Sequence, residues 1–206
     1  DEWDIDEKGN LKKTKDNKDI DILHSTKTRQ SMEFPVGTIN EMSKDMGTVN
    51  YDGKNITVDF QYLDINDDDL ASCFFEFVAE NTEIEWSLIQ TGTNGNHISR
   101  DSQYRDQTGK ELELNLANAS GTCLLKRFLD NNVSIRASKH SHPFVLGRNI
   151  VPEPSGYDMG VKTWFLDKYK ELANFKYEAY GKKMVVGNTC HIKIANVVCN
   201  KSGQYI

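Results

Sequence analysis

Apolar positions change their period along the chain, and each change marks an element. Ile56-Thr57-Val58-Asp59-Phe60 alternates apolar with polar, the pattern of a half-buried strand. Asp52-Gly53 separates it from Thr48-Val49, which predicts a hairpin. A second turn signal, "DEKGN" at residues 6–10, predicts another hairpin near the start. From residue 67 the period becomes helical, with Leu70, Phe74, Phe77 and Val78 at i, i+4, i+7 and i+8. Asp67, Asp68 and Asp69 stand where a helix N-terminus stabilises negative charge. "EIEWSLIQTG" (83–92) then predicts a strand, followed by a polar loop to about Lys110 and an alternating strand at "ELELNLA" (111–117). Ser120 is placed to cap a helix carrying Leu124, Leu125 and Phe128. "NVSIRAS" (132–138) predicts a strand that runs straight into two histidines. After Asp158 a helical pattern passes through Trp164, Phe165, Tyr169 and Leu172, and "FKYEAYGKKMVVG" with "HIKIANVV" predicts two or three closing strands.

This order fits a mixed sheet with helices packed on it, of α/β or α+β type. The turn-rich first 60 residues predict an N-terminal β-rich extension, leaving residues 61–206 as the main domain. The chain has 206 residues, 37% hydrophobic and 27% charged, enough for one sizeable core. Its net charge of −6 provides no general attraction to nucleic acid or to anionic membranes. No apolar run approaches the roughly 18 residues of a membrane-spanning helix. The lysine-rich "LKKTKDNKD" (11–19) reads as a solvated edge that discourages strand pairing. Because the chain opens Asp-Glu-Trp, it is expected to be a fragment of a longer protein. The four cysteines form no C-x-x-C pair. Cys73 and Cys123, in apolar helical contexts, are expected to be buried thiols, whereas Cys190 and Cys199 could pair across a hairpin.

Three clusters invite chemistry. Asp64-x-Asn66-x-Asp68 copies the first half of a calcium loop, but Asp69 stands where the turn needs Gly and Phe75 where a bidentate Glu is needed. An acidic helix start explains it better. Cys190-His191 cannot act as nucleophile and base, since adjacent strand residues point to opposite faces. His140-Ser141-His142-Pro143 is different. Two residues apart on an extended segment, both imidazoles project from one side and can reach one metal ion, and imidazole suits Zn2+. Downstream, Ser155-Gly156-Tyr157-Asp158 can serve as a capping box for the following helix.

Taken together, His140, Ser141, His142, Pro143, Ser155 and Asp158 resemble the signature of the JAMM (MPN/JAB) metallopeptidases: an upstream Glu, H-[ST]-H-P, then S-x-x-D. The family's Glu opens a strand behind a long helix. Glu85 occupies that place, with Glu83 its rival on the same face. The chain departs from the pattern in one respect: residues 143–154 make twelve between His142 and Ser155, where the family pattern has seven. The N-terminal "DEWDIDEKGNL" and the H-S-H-P…P-S-G-x-D variant also resemble the JAB-like toxin domains of bacterial Rhs-type polymorphic toxins.

The resemblance implies a cytidine-deaminase-like JAMM/MPN fold, here with an N-terminal β-hairpin extension. It also implies Zn2+ held by His140, His142 and Asp158, with Glu85 as general base and Ser155 donating a hydrogen bond to the developing oxyanion. The implied reaction is hydrolysis of a peptide or isopeptide bond. A protein or peptide would be the substrate and an immunity protein a further partner, the whole being part of a secreted or delivered bacterial protein. Two other readings compete: an inactive scaffold of the same fold, and a metal-dependent phosphoesterase or nuclease. The latter class needs further His or Asp ligands, and His24, His97 and His191 form no comparable cluster.

Overall fold

Two sheets share one helix. The computed structural model describes residues 1–114, 116, 118–142, 176–181, 183–185 and 188–190. Four short strands open the chain: β1 (Glu2–Ile5), β2 (Leu11–Lys15), β3 (Ile20–Ser25) and β4 (Ser31–Pro35). They form a sheet in the order β2-β1-β3-β4, with β1 parallel to β3 and the other pairs antiparallel. Where the sequence predicts a hairpin extension, the hairpin β1–β2 is one half of this sheet. β2 is its edge and carries exposed lysines, as expected for a strand that must not pair further.

The second sheet is built from β5 (Ser43–Tyr51), β6 (Lys54–Asp64), β7 (Trp86–Thr91), β8 (Gly95–Arg105), β10 (Ile135–His142) and β11 (Lys176–Gly181). Its order is β11-β10-β7-β8-β6-β5, and the short β9 (Glu111–Leu112) pairs with β8. All neighbours are antiparallel except β10 and β11. β12 (Lys183–Val185) and β13 (Asn188–Cys190) pair separately. The β5–β6 hairpin turns at Asp52 and Gly53 with φ of 50° and 73°, the left-handed pair that a two-residue turn requires. Residue 60, where the sequence suggests a domain boundary, falls inside β6. This is an α+β fold with a mixed main sheet.

Helix α1 (Asp68–Asn81) lies between the sheets. Asp67 is its N-cap, its carboxylate accepting from the Leu70 amide at 2.9 Å. Phe74, Phe75, Phe77 and Val78 are all buried, and one cluster joins them to Trp3, Ile5, Leu23 and Phe34 on the first sheet and to Trp86, Leu88 and Ile98 on the second. Burying each such side chain contributes about 1.5–3 kcal/mol. Cys73, expected to be buried, is exposed, because it shares a stripe with Asp69, Glu76 and Glu80 between the two apolar faces. Helix α2 (Ala119–Asp130) covers the opposite face of the main sheet through Leu124, Leu125 and Leu129, which meet Val58, Phe60 and Ile89. Cys123 is buried there as expected, and burial pushes its thiol up to about 12.

Two predicted elements differ. The expected polar loop to Lys110 contains β8, an eleven-residue strand in the middle of the sheet. Its buried Asn96, Ser99 and Arg100 hide it from a hydrophobic pattern, yet each is hydrogen-bonded, so burial is tolerated. Ser120 does not cap α2. Asn118 is the N-cap, in a left-handed conformation and without a side-chain cap bond, and the orphan amides turn to Asp101 of β8.

Candidate metal centre

Strand β10 lies between β7 and β11, so its ladder bonds hold it from both sides. His140 sits opposite Ser87, whose hydroxyl bonds the Asn118 side chain at the start of α2. The α2 face of the sheet is therefore the face from which His140 and, two residues on, His142 project. Their Nε2 atoms face one another at 3.0 Å, with ring centroids 4.9 Å apart. His140 is buried and His142 half-buried. Two nitrogens bound to one tetrahedral zinc stand about 3.3 Å apart, given Zn–N bonds of about 2.0–2.1 Å. A pair of imidazoles converging on almost this spacing fits a zinc ion.

Ser141 points the other way. Fully buried, its Oγ accepts the Trp86 amide at 2.8 Å and fastens the histidine strand to the first residue of β7. Glu85 immediately precedes that residue. Strand alternation from Ser87 places it on the α2 face, and the register of His140 with Ser87, continued by two, brings it level with His142. The Tyr104 phenol on that face agrees: burial pushes it above its ordinary range, with the negative charges of Asp101 and Glu85 adding to the shift. Glu83 is exposed and turned to the N-terminal sheet, its carboxylate 2.8 Å from the Lys27 ammonium.

Beneath the histidines lies a buried polar layer that the hydrophobic pattern did not reveal. Asp101 accepts from the amides of Ala119 at 3.2 Å and Ser120 at 2.6 Å and from the Tyr104 hydroxyl at 2.7 Å. Burial raises its carboxyl above the ordinary carboxylate range, against these hydrogen bonds. Ser120 in turn accepts from Ser99 at 3.1 Å. Gly121 allows α2 to come this close, because a Cβ there would overlap Ser87 Oγ and Asn118 Oδ1. The available signal was "SRDSQYR" (99–105), whose alternation puts Ser99 on one face and Arg100 on the other.

Among the described residues no three His, Cys, Asp or Glu side chains converge. Ser155 and Asp158 lie outside the described residues, as do the helix expected after them, His191 and Cys199. His97 stands apart from the pair, its ring bonded by Asp64 at 2.7 Å and Thr91 at 2.9 Å, and His24 bonds Ser31 at 2.7 Å in the first sheet. No helix among the described residues is long and apolar enough to cross a membrane.

A family profile described as JAB-like toxin 1 matches residues 63–176, from the end of β6 through the histidine pair to the start of β11. The chain belongs to the JAB-like toxin 1 family. No curated protein and no solved structure matches it. The JAB-like toxin match thus takes in α1, Glu85, α2 and His140-Ser141-His142, and its limits leave the four-stranded N-terminal sheet outside.

Proposed function

We propose that this JAB-like toxin domain hydrolyses a peptide or isopeptide bond with the help of one zinc ion. The observation that carries the reading is the His140–His142 pair, Nε2 to Nε2 at 3.0 Å on one face of β10; Glu85, the residue before β7, falls in line with it when the register of His140 with Ser87 is continued by two. His140, His142 and Asp158 would hold the zinc. Bound there, zinc supplies Lewis acidity that brings the pKa of a water toward neutrality.

The chain's own groups do the rest. Glu85 accepts a proton from the attacking water and hands it to the leaving amine, which makes it both base and acid in one turnover. Ser155 donates a hydrogen bond to the oxygen that becomes negative as the carbonyl is attacked. Ser87, opposite His140 in the sheet, is bonded to Asn118 at the α2 N-terminus, so the helix start stands on the face from which the histidines project. Neither His24 nor His97 joins the pair, which favours a single-metal hydrolase over phosphoesterases that need a larger ligand set.

The test is turnover by Glu85→Gln beside the unaltered chain. Fluorogenic peptides and an ε-amino-linked isopeptide serve as substrates, with a phosphate ester and plasmid DNA alongside. Loss of a positioned base costs roughly 10²–10⁴-fold. The variant should lose turnover on that scale and keep its zinc. Equal turnover in both proteins, or cleavage of the phosphate ester alone, would refute the proposal.

A further inference from the structure

The segment joining α1 to β7, residues 82–85, carries the proposed base, and the N-terminal sheet grips it at two turns. The first is the β1–β2 turn. Glu7 O accepts the Glu83 amide at 2.7 Å. Two residues later Gly9, at φ +75°, lies so close to the segment that a Cβ would come 2.5 Å from Ile84 Cδ1 and 2.9 Å from Trp86 Cζ2. Arg100, opposite Trp86 in β8, locks this turn from the sheet side. Its guanidinium donates to Lys8 O, to Asn10 Oδ1 at 2.8 Å and to Gln61 Oε1 at 2.9 Å. The second grip is the β3–β4 turn, where Lys27 pairs with Glu83 at 2.8 Å and the Thr28 hydroxyl bonds Asn81 at the end of α1.

These contacts fall on both sides of Glu85 in sequence and on the sheet face away from its carboxylate. They fix the backbone from which that carboxylate projects, as Ser141 does from β10. From this arrangement we infer that the N-terminal sheet positions the Glu85 carboxylate over the His140–His142 pair, with Gly9 of its first turn, and Arg100 of β8 that locks this turn, as the positioning residues. The inference rests on Glu85 as the base. Since residues 1–62 lie outside the family match, this device belongs to the chain's own N-terminal segment.

A misplacement of about 1 Å at a reacting group can cost on the order of 10²-fold in rate. In the full-length chain, Gly9→Ala should lower kcat roughly 10- to 100-fold with KM and zinc content little changed. Amide exchange over residues 82–88 should rise on the order of tenfold while α2 keeps its protection. Gly9→Ala with Ile84→Val, which removes the nearest clashing atom, should recover part of both. If Gly9→Ala does not fold, Asn10→Ala, which removes one of the Arg100 bonds, carries the same expectations at smaller size. A folded Gly9→Ala or Asn10→Ala with unchanged exchange at 82–88 and unchanged kcat would overturn the inference. Failure of the base assignment shows separately, as full turnover in Glu85→Gln, because exchange at 82–88 is read without any substrate.

Discussion

Ser141 stands between two histidines and shares nothing with them but sequence. Period two sends it to the α1 face, where its hydroxyl takes the Trp86 amide. Ser141→Ala would leave that buried amide unpaired, a loss of about 1–3 kcal/mol. Urea unfolding should show the midpoint falling with an unchanged slope, and an unmoved midpoint would remove Ser141 from its role. The same period made the histidine pair legible from the residues alone, since strand geometry forces His140 and His142 to one side. Glu83 and Glu85 could not be separated that way because they share parity. What parts them is Lys27, 56 residues upstream of Glu83, and no local pattern reports a partner at that distance.

Among the elements, α1 and the β5–β6 hairpin were legible, because an aromatic helical stripe and an Asp-Gly turn each specify their backbone locally. β8 and the cap of α2 were not. A strand paired on both sides can bury Asn96, Ser99 and Arg100 once neighbours satisfy them, and that satisfaction comes from other elements. Asp101 caps α2 from across the sheet, so Asp101→Ala would orphan the Ser120 amide and leave the Ala119 amide and the Tyr104 hydroxyl with Leu116 O alone. The expected cost is roughly 1–3 kcal/mol, read as a lower urea midpoint.

Two further pairs set the acid limb of stability. The Arg136 guanidinium bonded to Asp68 holds that carboxyl below the usual carboxylate range, and Arg127 does the same for Asp45. A depressed folded pKa contributes stability above the unfolded value near 4, and that stability is lost as pH falls through the folded value. Asp101 acts with the opposite sign: its raised pKa favours the fold below about 4, and that contribution is lost as pH rises through its folded value. The melting temperature should therefore hold from pH 7 to about 5 and drop below about 4. Arg136→Leu should lower the plateau and make the drop shallower. An identical acid limb in that variant would remove the Asp68 pair from the account.

Across the whole molecule, the first sheet completes the core. Trp3, Ile5, Leu23 and Phe34 bury themselves on α1, together worth roughly 6–12 kcal/mol, as much as the net stability of most domains. A chain starting at Ser43 should lose cooperative unfolding and expose the α1 aromatics to a hydrophobic dye. A sharp transition in that fragment would contradict the shared core. The hairpin turns of the first 60 residues were readable, but their union with α1 was not, because a helix apolar on two sides looks in sequence like one that is merely very apolar. The proposed site divides in the same manner: its histidines lie on one short strand, while the place of Glu85 beside them depends on the pairing of β7 with β10, whose residues Ser87 and His140 are 53 apart in sequence.

The proposed site stands or falls with its metal, and zinc content is the measurement that decides it. The unaltered chain, the His142→Ala variant and the His140→Ala variant, each purified without chelators, would be measured by mass spectrometry of the metal. About one zinc per chain is expected in the first and little in either variant, given one ion held by both imidazoles. An unaltered chain without zinc, or variants that keep as much as it does, would contradict the proposed site.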